Sequence, residues 1–231
     1  AWSRLELDGR YSLDQDEPLL TDPLKKTYYS LGPKATLSYE FSNGMWTQFE
    51  YGYGLEEPSF DQLKPVTIMN SQNSLTMGNP DLEPEGSHEI NANLFYRNPA
   101  NFASMSIGCW GTFTDNAISY NRIISWVDSV GYVNIYKPFN NGASTRINAW
   151  LWSDIPLIRT KLNLRLSGNY YITKSGSYIN EDLNTTTSNS YTLRPGFKIT
   201  PGQKLIIELS GSGTYTKTNF TLGYVSSQEI Y

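Results

Sequence analysis

The sequence has little of the side chains on which most enzyme sites depend. It contains one histidine, His88, and one cysteine, Cys109. An internal disulfide and a zinc cluster with several imidazoles are therefore excluded within this chain. A glycine-rich phosphate loop between a strand and a helix is also missing. We predict no catalytic residue, no bound cofactor, no metal site and no enzymatic activity.

Long apolar runs and basic clusters are scarce as well. No stretch approaches the roughly 20 consecutive apolar residues of a membrane-spanning helix, so a helical membrane protein is excluded. The 18 basic residues are scattered among 22 acidic ones, which gives a net charge of −4. Without a basic stripe the chain has no surface that would follow a phosphate backbone. We predict no nucleic-acid partner.

What the sequence has instead is a repeat of two residues. From Leu31 to Phe41 the odd positions are mostly apolar or aromatic and the even positions are polar or small, as in a strand with one apolar face. Asn43 and Gly44 then form a hairpin signal, and Met45 to Tyr53 continues the alternation. The same pattern recurs at Leu5 to Tyr11, Ile90 to Tyr96, Ala103 to Phe113, Ala143 to Leu151, Leu162 to Ile172, Tyr191 to Ile199 and Leu205 to Tyr215, and a tenth strand opens at Phe220, Leu222 and Tyr224.

The length of these segments indicates where they reside. A tilted strand needs about 9 to 11 residues to cross a bilayer, whereas strands of globular proteins are typically about 5 to 6 residues long. Most of the segments are close to the longer value. One apolar and one polar face per strand then predict an all-β, antiparallel transmembrane barrel with lipid outside and a wet interior. A chain of 231 residues forms one such unit.

The connections between strands alternate between short and long. In outer-membrane barrels the short turns are periplasmic and the long loops extracellular, so the alternation predicts the topology as well as the fold. The predicted tight turns are Ser42 to Gly44, Arg97 to Asn101, Ser153 to Leu157 and Thr200 to Gln203, and the predicted long links are Ser12 to Thr27, Leu55 to Glu85, Asp115 to Gly142 and Lys174 to Ser188.

Three residues break the simple pattern. Pro195 lies in the middle of a predicted strand but has no N–H for the ladder, and a β-bulge at this point would resolve the conflict. Trp150 and Trp152 fall on the polar parity. They either pack inside the barrel or mark an error in the assumed register.

One motif resembles a known family. The segment made of Gly78, Asn79, Pro80, Asp81, Leu82, Glu83, Pro84 and Glu85, with the following Ser87 to Asn93, resembles the barrel signature of TonB-dependent outer-membrane receptors. The upstream segment Pro58 to Pro65 resembles the stretch that precedes this signature. Downstream, Asp115, Asn116, Ile118, Tyr136 and Asn140 to Gly142 resemble the stretch that follows it, so the likeness covers about two thirds of the chain.

The resemblance implies a fold, a location and a set of partners. Such receptors have an N-terminal plug inside a barrel of about 22 strands and import nutrients across the outer membrane of Gram-negative bacteria. The implied partners are the lipid bilayer, the receptor's own plug, the TonB complex, and a cargo that is an iron chelate, cobalamin, a glycan or a peptide. Residues 1–231 carry no recognisable plug and only nine or ten strands, so we expect a partial barrel domain.

The motif itself is expected to be structural. Asp81, Glu83 and Glu85 suggest acid–base chemistry or a hard-cation site, but Pro80 and Pro84 impose an extended path that spreads the carboxylates. Leu82 is expected to anchor the loop, and Gly78 to supply a backbone conformation that a Cβ would resist. His88 is expected at the membrane interface.

Three other readings of the sequence remain open. A barrel without transport would display its loops as an adhesive surface. A soluble carbohydrate-binding β-sandwich would bury aromatic side chains between two sheets. A small complete barrel of eight or ten strands would pair its first strand with its last.

Overall fold

One β-sheet organises the described part of the chain. The computed structural model describes residues 2–11, 28–202, 204–221 and 223–231. Within these ranges one short helix, α1 (Phe60–Leu63), accompanies a 15-stranded sheet. The strands are β1 (Trp2–Tyr11), β2 (Tyr29–Ser42), β3 (Met45–Glu56), β4 (Thr67–Ser71), β5 (Ser74–Met77), β6 (Glu85–Arg97), β7 (Ser104–Asp115), β8 (Ile118–Val127), β9 (Gly131–Asn140), β10 (Ala143–Ile158), β11 (Leu162–Ile179), β12 (Asp182–Gly202), β13 (Leu205–Ser210), β14 (Gly213–Phe220) and β15 (Gly223–Ile230).

Most of these strands form an antiparallel meander, which we call the wall. Its spatial order is β1, β2, β3, β6, β7, β10, β11, β12, then β13 and β14 on one side of β12, and finally β15. The prediction of an all-β antiparallel fold is confirmed, and the nine predicted segments fall on wall strands. In the described residues β1 pairs with β2 alone and β15 with β14 alone. The sheet is therefore open, which contradicts the reading as a small closed barrel.

Two predicted connections are wrong. The proposed turn from Ser153 to Leu157 lies inside β10, which continues for 16 residues to Ile158. The proposed long link from Lys174 to Ser188 is a continuation of β11 and β12, strands of 18 and 21 residues. These two strands are joined by a turn in which Asn180 and Glu181 both have positive φ, as tight hairpins require.

Some other predicted strands begin or end a few residues away from the strands in the structure. Leu205 to Tyr215 is divided between β13 and β14, and Phe220 closes β14 instead of opening a tenth strand. That tenth strand exists as β15 and begins at Gly223. The predicted link from Ser12 to Thr27, together with Gln203 and Leu222, lies outside the described residues.

Pro195 is accommodated by a gap in the neighbouring strand, and the predicted bulge is absent. The register between β12 and its neighbours is the same on both sides of Pro195. On the side of β13 and β14, however, the ladder stops at Gly211 and Ser212. The Gly211 N–H donates to the Pro195 carbonyl over 3.1 Å, so the ring nitrogen points toward this gap. The missing N–H of proline therefore falls at a break that the sheet already has between β13 and β14, and the ladder to β11 is unaffected.

This geometry predicts that proline can be removed here at little cost. We expect Pro195→Ala to change the free energy of unfolding by less than about 1 kcal/mol, because the new N–H faces the gap and the only other change is in the unfolded chain. Urea unfolding of the membrane-embedded protein measures this. The matched control is Leu193→Pro, two residues away where the β12 to β14 ladder is intact, and it should be strongly destabilising. Equal effects of the two variants would contradict the assignment.

The two faces of the wall differ sharply in polarity. On one face, which we call the outer face, large apolar side chains lie uncovered, such as Leu31 at 62% exposure and Leu193 at 54%. The other face, which we call the inner face, carries Ser, Thr, Asn and charged residues at the alternate positions of the same strands. Residues that pair across neighbouring strands form a row, and each row belongs to one face. Only four hydrophobic residues of the described chain are buried, namely Leu63, Leu82, Ala117 and Val133. A soluble sandwich would pack its apolar face into a core, so this structure contradicts that reading.

The assumed register is correct at Trp150 and Trp152. Trp150 shares a row with Asn93, Gly108 and Asn169 on the inner face. A Cβ on Gly108 would lie 2.4 Å from the Trp150 ring, so the glycine makes room for the indole. Trp152 is 43% exposed on the same face. Both side chains therefore belong to the inner surface.

Two of the predicted long links contain secondary structure that the alternation of apolar and polar residues did not predict. The segment between β3 and β6 holds α1 and the hairpin β4–β5, and the segment between β7 and β10 holds the hairpin β8–β9. β8 runs parallel to the end of β11, and β5 runs parallel to β9, so both hairpins extend the sheet at one end of the wall. We call this end the loop end. In the described residues no helix is long and apolar enough to cross a membrane.

Candidate functional site at the loop end

The segments that resemble the receptor signature meet at the loop end. Residues 78–85 lie between β5 and β6, in contact with α1 on one side and with the segments around Asn116 and Asn140 on the other. We call this assembly, residues 58–65, 78–85, 115–118 and 136–142, the rim clasp. Its parts are far apart in sequence, and hydrogen bonds join them directly.

α1 provides one side of the rim clasp. Ser59 precedes the helix and forms a capping box with Gln62, since each side chain bonds to the other residue's backbone N–H. The Asn79 N–H donates to the Gln62 carbonyl over 2.6 Å. The short helix is thus held at its beginning by its own side chains and at its end by the motif loop.

Gly78 is required by a close approach of two backbones. A Cβ built on Gly78 would lie 1.8 Å from the Lys64 carbonyl oxygen and 2.7 Å from its carbon. Gly78 is not among the residues with positive φ. The expectation of a special backbone conformation is therefore wrong, and the lack of space beside Lys64 is the reason for glycine.

Asn79 and Leu82 hold the middle of the motif. The Asn79 side-chain amide donates to the Pro138 carbonyl over 3.0 Å, and its oxygen accepts the N–H of Asp81. The Leu82 N–H donates to the Asn79 carbonyl over 3.3 Å, and Leu82 itself is only 1% exposed. A turn of this kind, with proline at its second position, is typical of an Asn-Pro sequence.

Two of the three carboxylates of the motif, those of Glu83 and Glu85, accept hydrogen bonds from amide and backbone groups. Glu83 Oε2 accepts a hydrogen bond from the Asn116 amide at 3.3 Å, and Glu85 Oε1 accepts the N–H of Ile118. The Asn116 amide also donates to the Pro84 carbonyl. These contacts fit a structural role. In the described residues no group of three or more His, Cys, Asp or Glu side chains could hold a metal ion.

Asn140 joins three separate chain segments of the rim clasp: its own, the one with Glu83 and the one with Asn116. Its Oδ1 accepts the Glu83 N–H at 3.0 Å, and its Nδ2 donates to the carbonyls of Glu83 and Asn116 at 2.9 and 2.8 Å. The Asn140 side chain thereby bonds to backbone groups of two other segments, as the backbone of a neighbouring strand would. Asn and Asp side chains commonly replace backbone partners in this way.

We expect Asn140→Ala to loosen the motif loop. Three hydrogen bonds are lost, each with a net value of about 1 kcal/mol, so residues 78–85 should exchange their amide hydrogens at least tenfold faster. Hydrogen exchange with mass spectrometry on the membrane-embedded protein measures this. Asn70→Ala is the matched control, because Asn70 makes one exposed bond to Thr76. Unchanged exchange in residues 78–85 would contradict the role assigned to Asn140.

A polar cavity lies below the rim clasp on the inner face. It has a volume of 640 Å³ and is lined by residues of β2, β3, β6, β7 and β10. Lys34, Glu89 and Arg146 occupy one row of its lining, with Trp110 in the next row. Charges of both signs beside an aromatic ring suit the binding of polar molecules. The alternating sequence placed these residues on the polar face but did not single them out.

His88 lies on the outer face at the loop end, close to the three strands β3, β6 and β7. Its Nδ1 is 2.9 Å from the Tyr51 hydroxyl, and its Nε2 is 3.5 Å from Asp115 Oδ2. The Tyr53 ring lies 4.8 Å from the imidazole ring. The side chain thus joins neighbouring strands near the level at which the outer face becomes polar.

Comparison with known proteins identifies the family of the chain. A search of the curated proteins found no match. The model of the outer membrane protein beta-barrel family matches residues 10–230, which is nearly the whole sequence and all of the wall from β2 to β15. The chain belongs to the outer membrane protein beta-barrel family.

Proposed function

We propose that this chain forms the wall and the rim clasp of a TonB-dependent receptor that imports a nutrient through the outer membrane. The outer-membrane location and the lipid bilayer around the barrel follow from the family. The proposal adds a plug, energy from the TonB complex, a larger barrel of about 22 strands and extracellular loops at the loop end.

The observation that carries the proposal is the rim clasp. The receptor-like sequence segments form hydrogen bonds with one another in one place, between residues up to 59 positions apart. Several short motifs identify a family more reliably when their residues also contact one another in the folded chain. In this chain, the segments that resemble the receptor signature in sequence therefore belong to one three-dimensional assembly, which supports the proposal.

The inner face supports passage of a polar cargo. Lys34, Glu89, Arg146 and Trp110 line the cavity below the rim clasp, and the open sheet leaves this surface accessible from within a larger barrel. The proposed cargo is an iron chelate, cobalamin, a glycan or a peptide. We further propose that the chain has no enzymatic activity; in support, the motif carboxylates of Glu83 and Glu85 accept hydrogen bonds from an amide and a backbone N–H.

Energy-dependent uptake tests the proposed function. Cells with and without the gene are supplied with one labelled probe of each cargo class, with and without a protonophore. The proposal expects uptake of one class that needs both the gene and the proton gradient. Gene-dependent uptake that persists without the gradient would indicate a passive pore. If the gene alters surface adhesion but the uptake of none of the probes, the non-transporting adhesin is correct.

A further inference from the structure

A groove interrupts the apolar outer face of the wall between β10 and β15. Its volume is 740 Å³. Gly168 and Gly213 form its floor, in one row with Leu151, Leu193 and Ile230. A Cβ on Gly213 would meet no atom within 4 Å, and one on Gly168 would make only ordinary contacts. Side chains are thus missing here although the backbone has room for them.

A row of tyrosines bounds this groove on the side of the loop end. The rings of Tyr170 and Tyr191 stack with centroids 4.8 Å apart, and those of Tyr191 and Tyr215 lie 6.4 Å apart. The Tyr170 hydroxyl donates to Asn189 Oδ1 over 3.0 Å. Aromatic rings with polar tips concentrate at the level where hydrocarbon meets headgroups. The groove therefore lies in the hydrocarbon layer, on the side of the tyrosines that faces away from the loop end.

Two lysines lie on the outer face above the tyrosines. Lys217 follows Tyr215 by two positions on β14, with its Nζ 4.7 Å from the centre of the Tyr224 ring. Lys174 is exposed on the outer face of β11, one row of cross-strand neighbours closer to the loop end, since it pairs with Thr187 whereas Lys217 pairs with Asn189. In the described parts of β10, β11, β12, β14 and β15, no acidic side chain shares this face. The level of the headgroups is thus positively charged above the groove.

We propose that this groove is a binding site for one anionic lipid, with an acyl chain over Gly168 and Gly213 and the phosphate near Lys174 and Lys217. The outer face is covered by the bilayer, so hydrocarbon is the occupant that an apolar depression on it will take. The tyrosine row separates the acyl chain from the headgroup, and the lysines select a negative one. The proposal depends on the membrane location alone and not on the import of a nutrient.

Native mass spectrometry of the intact protein tests the proposal. The protein is extracted in mild detergent and exchanged into micelles with equal amounts of dioleoyl-phosphatidylglycerol and dioleoyl-phosphatidylcholine. We expect one retained lipid, with phosphatidylglycerol favoured about 25-fold, since each of the two lysines near the headgroup contributes a factor of about five. Equal retention of the two lipids by the wild-type protein would overturn the proposal without any variant.

Two double variants separate the acyl-chain site from the headgroup site. Gly168→Leu with Gly213→Leu fills the groove and should abolish retention of both lipids. Lys174→Gln with Lys217→Gln should keep a retained lipid but remove the preference for phosphatidylglycerol. The matched control is Ala92→Leu, on the outer face but outside the groove, with folding checked by heat-dependent gel mobility. Wild-type retention in the folded groove-filled variant would contradict the site.

Discussion

Replacing Gly78 by alanine is expected to open the rim clasp. The new Cβ would lie 1.8 Å from the Lys64 carbonyl oxygen, so one of the two backbones must move. Forcing a methyl group into such a contact costs about 3 kcal/mol. The displaced loop would also lose the Asn79 bonds to Gln62 and Pro138. With the loop end extracellular, as proposed above, proteinase K added to intact cells should therefore cut between β3 and β6 much faster than in the wild type.

The control for this variant is Gly54→Ala. Gly54 lies on β3, and a Cβ there would meet no atom within 4 Å. The two substitutions add the same methyl group to the same kind of residue, so they differ only in the space available. If both variants resist the protease as the wild type does, the close approach of Gly78 to Lys64 is not what holds the loop.

Replacing Ile107 by arginine is expected to destabilise the wall by about 2 to 4 kcal/mol, the usual cost of a cation on the lipid face near the middle of a barrel strand. Ile107 is 46% exposed on the outer face and shares a row with Leu94 and Leu151. Nothing in the described part of the protein covers it, so the lipid determines the cost. Urea unfolding in phosphatidylcholine vesicles measures the change.

Ser106→Arg provides the comparison within the same strand. Ser106 lies on the inner face, in a row with Phe95 and Trp152, where a long cationic side chain reaches water. Its cost should stay below about 1 kcal/mol, as for most substitutions on a solvated surface. Equal costs at Ile107 and Ser106 would mean that the two faces meet the same surroundings, which is incompatible with lipid on the outer face and water on the inner one.

The wall was predictable where the two faces differ in sequence. From Leu31 to Phe41 each step of one residue changes the polarity, and the structure places β2 there. The upper parts of β11 and β12 were missed because Thr, Ser and Asn occupy both faces, as at Thr185, Thr186 and Thr187. Without a difference between the faces, alternation gives no signal, although the ladder continues to the turn at Asn180 and Glu181.

The rim clasp was predictable only in part. The motif residues from Gly78 to Glu85 were recognised, but their partners Lys64 and Asn140 act through contacts between distant segments. No local pattern announces that the Lys64 carbonyl will approach Gly78, or that one amide will bind Glu83 and Asn116 together. For Pro195 the conflict was visible in sequence, whereas its solution depends on Gly211 in the next strand.

A nitroxide scan along β10 tests most directly whether the apolar outer face lies in lipid. Single cysteines, with Cys109 replaced by alanine, are labelled in the membrane-embedded protein, and accessibility to oxygen and to a water-soluble nickel complex is measured. We predict an alternation of two residues, with high oxygen accessibility at Ile147, Ala149 and Leu151 and high nickel accessibility at Arg146, Asn148 and Trp150. A scan without this alternation, or with the two sets exchanged, would contradict a lipid-facing outer surface.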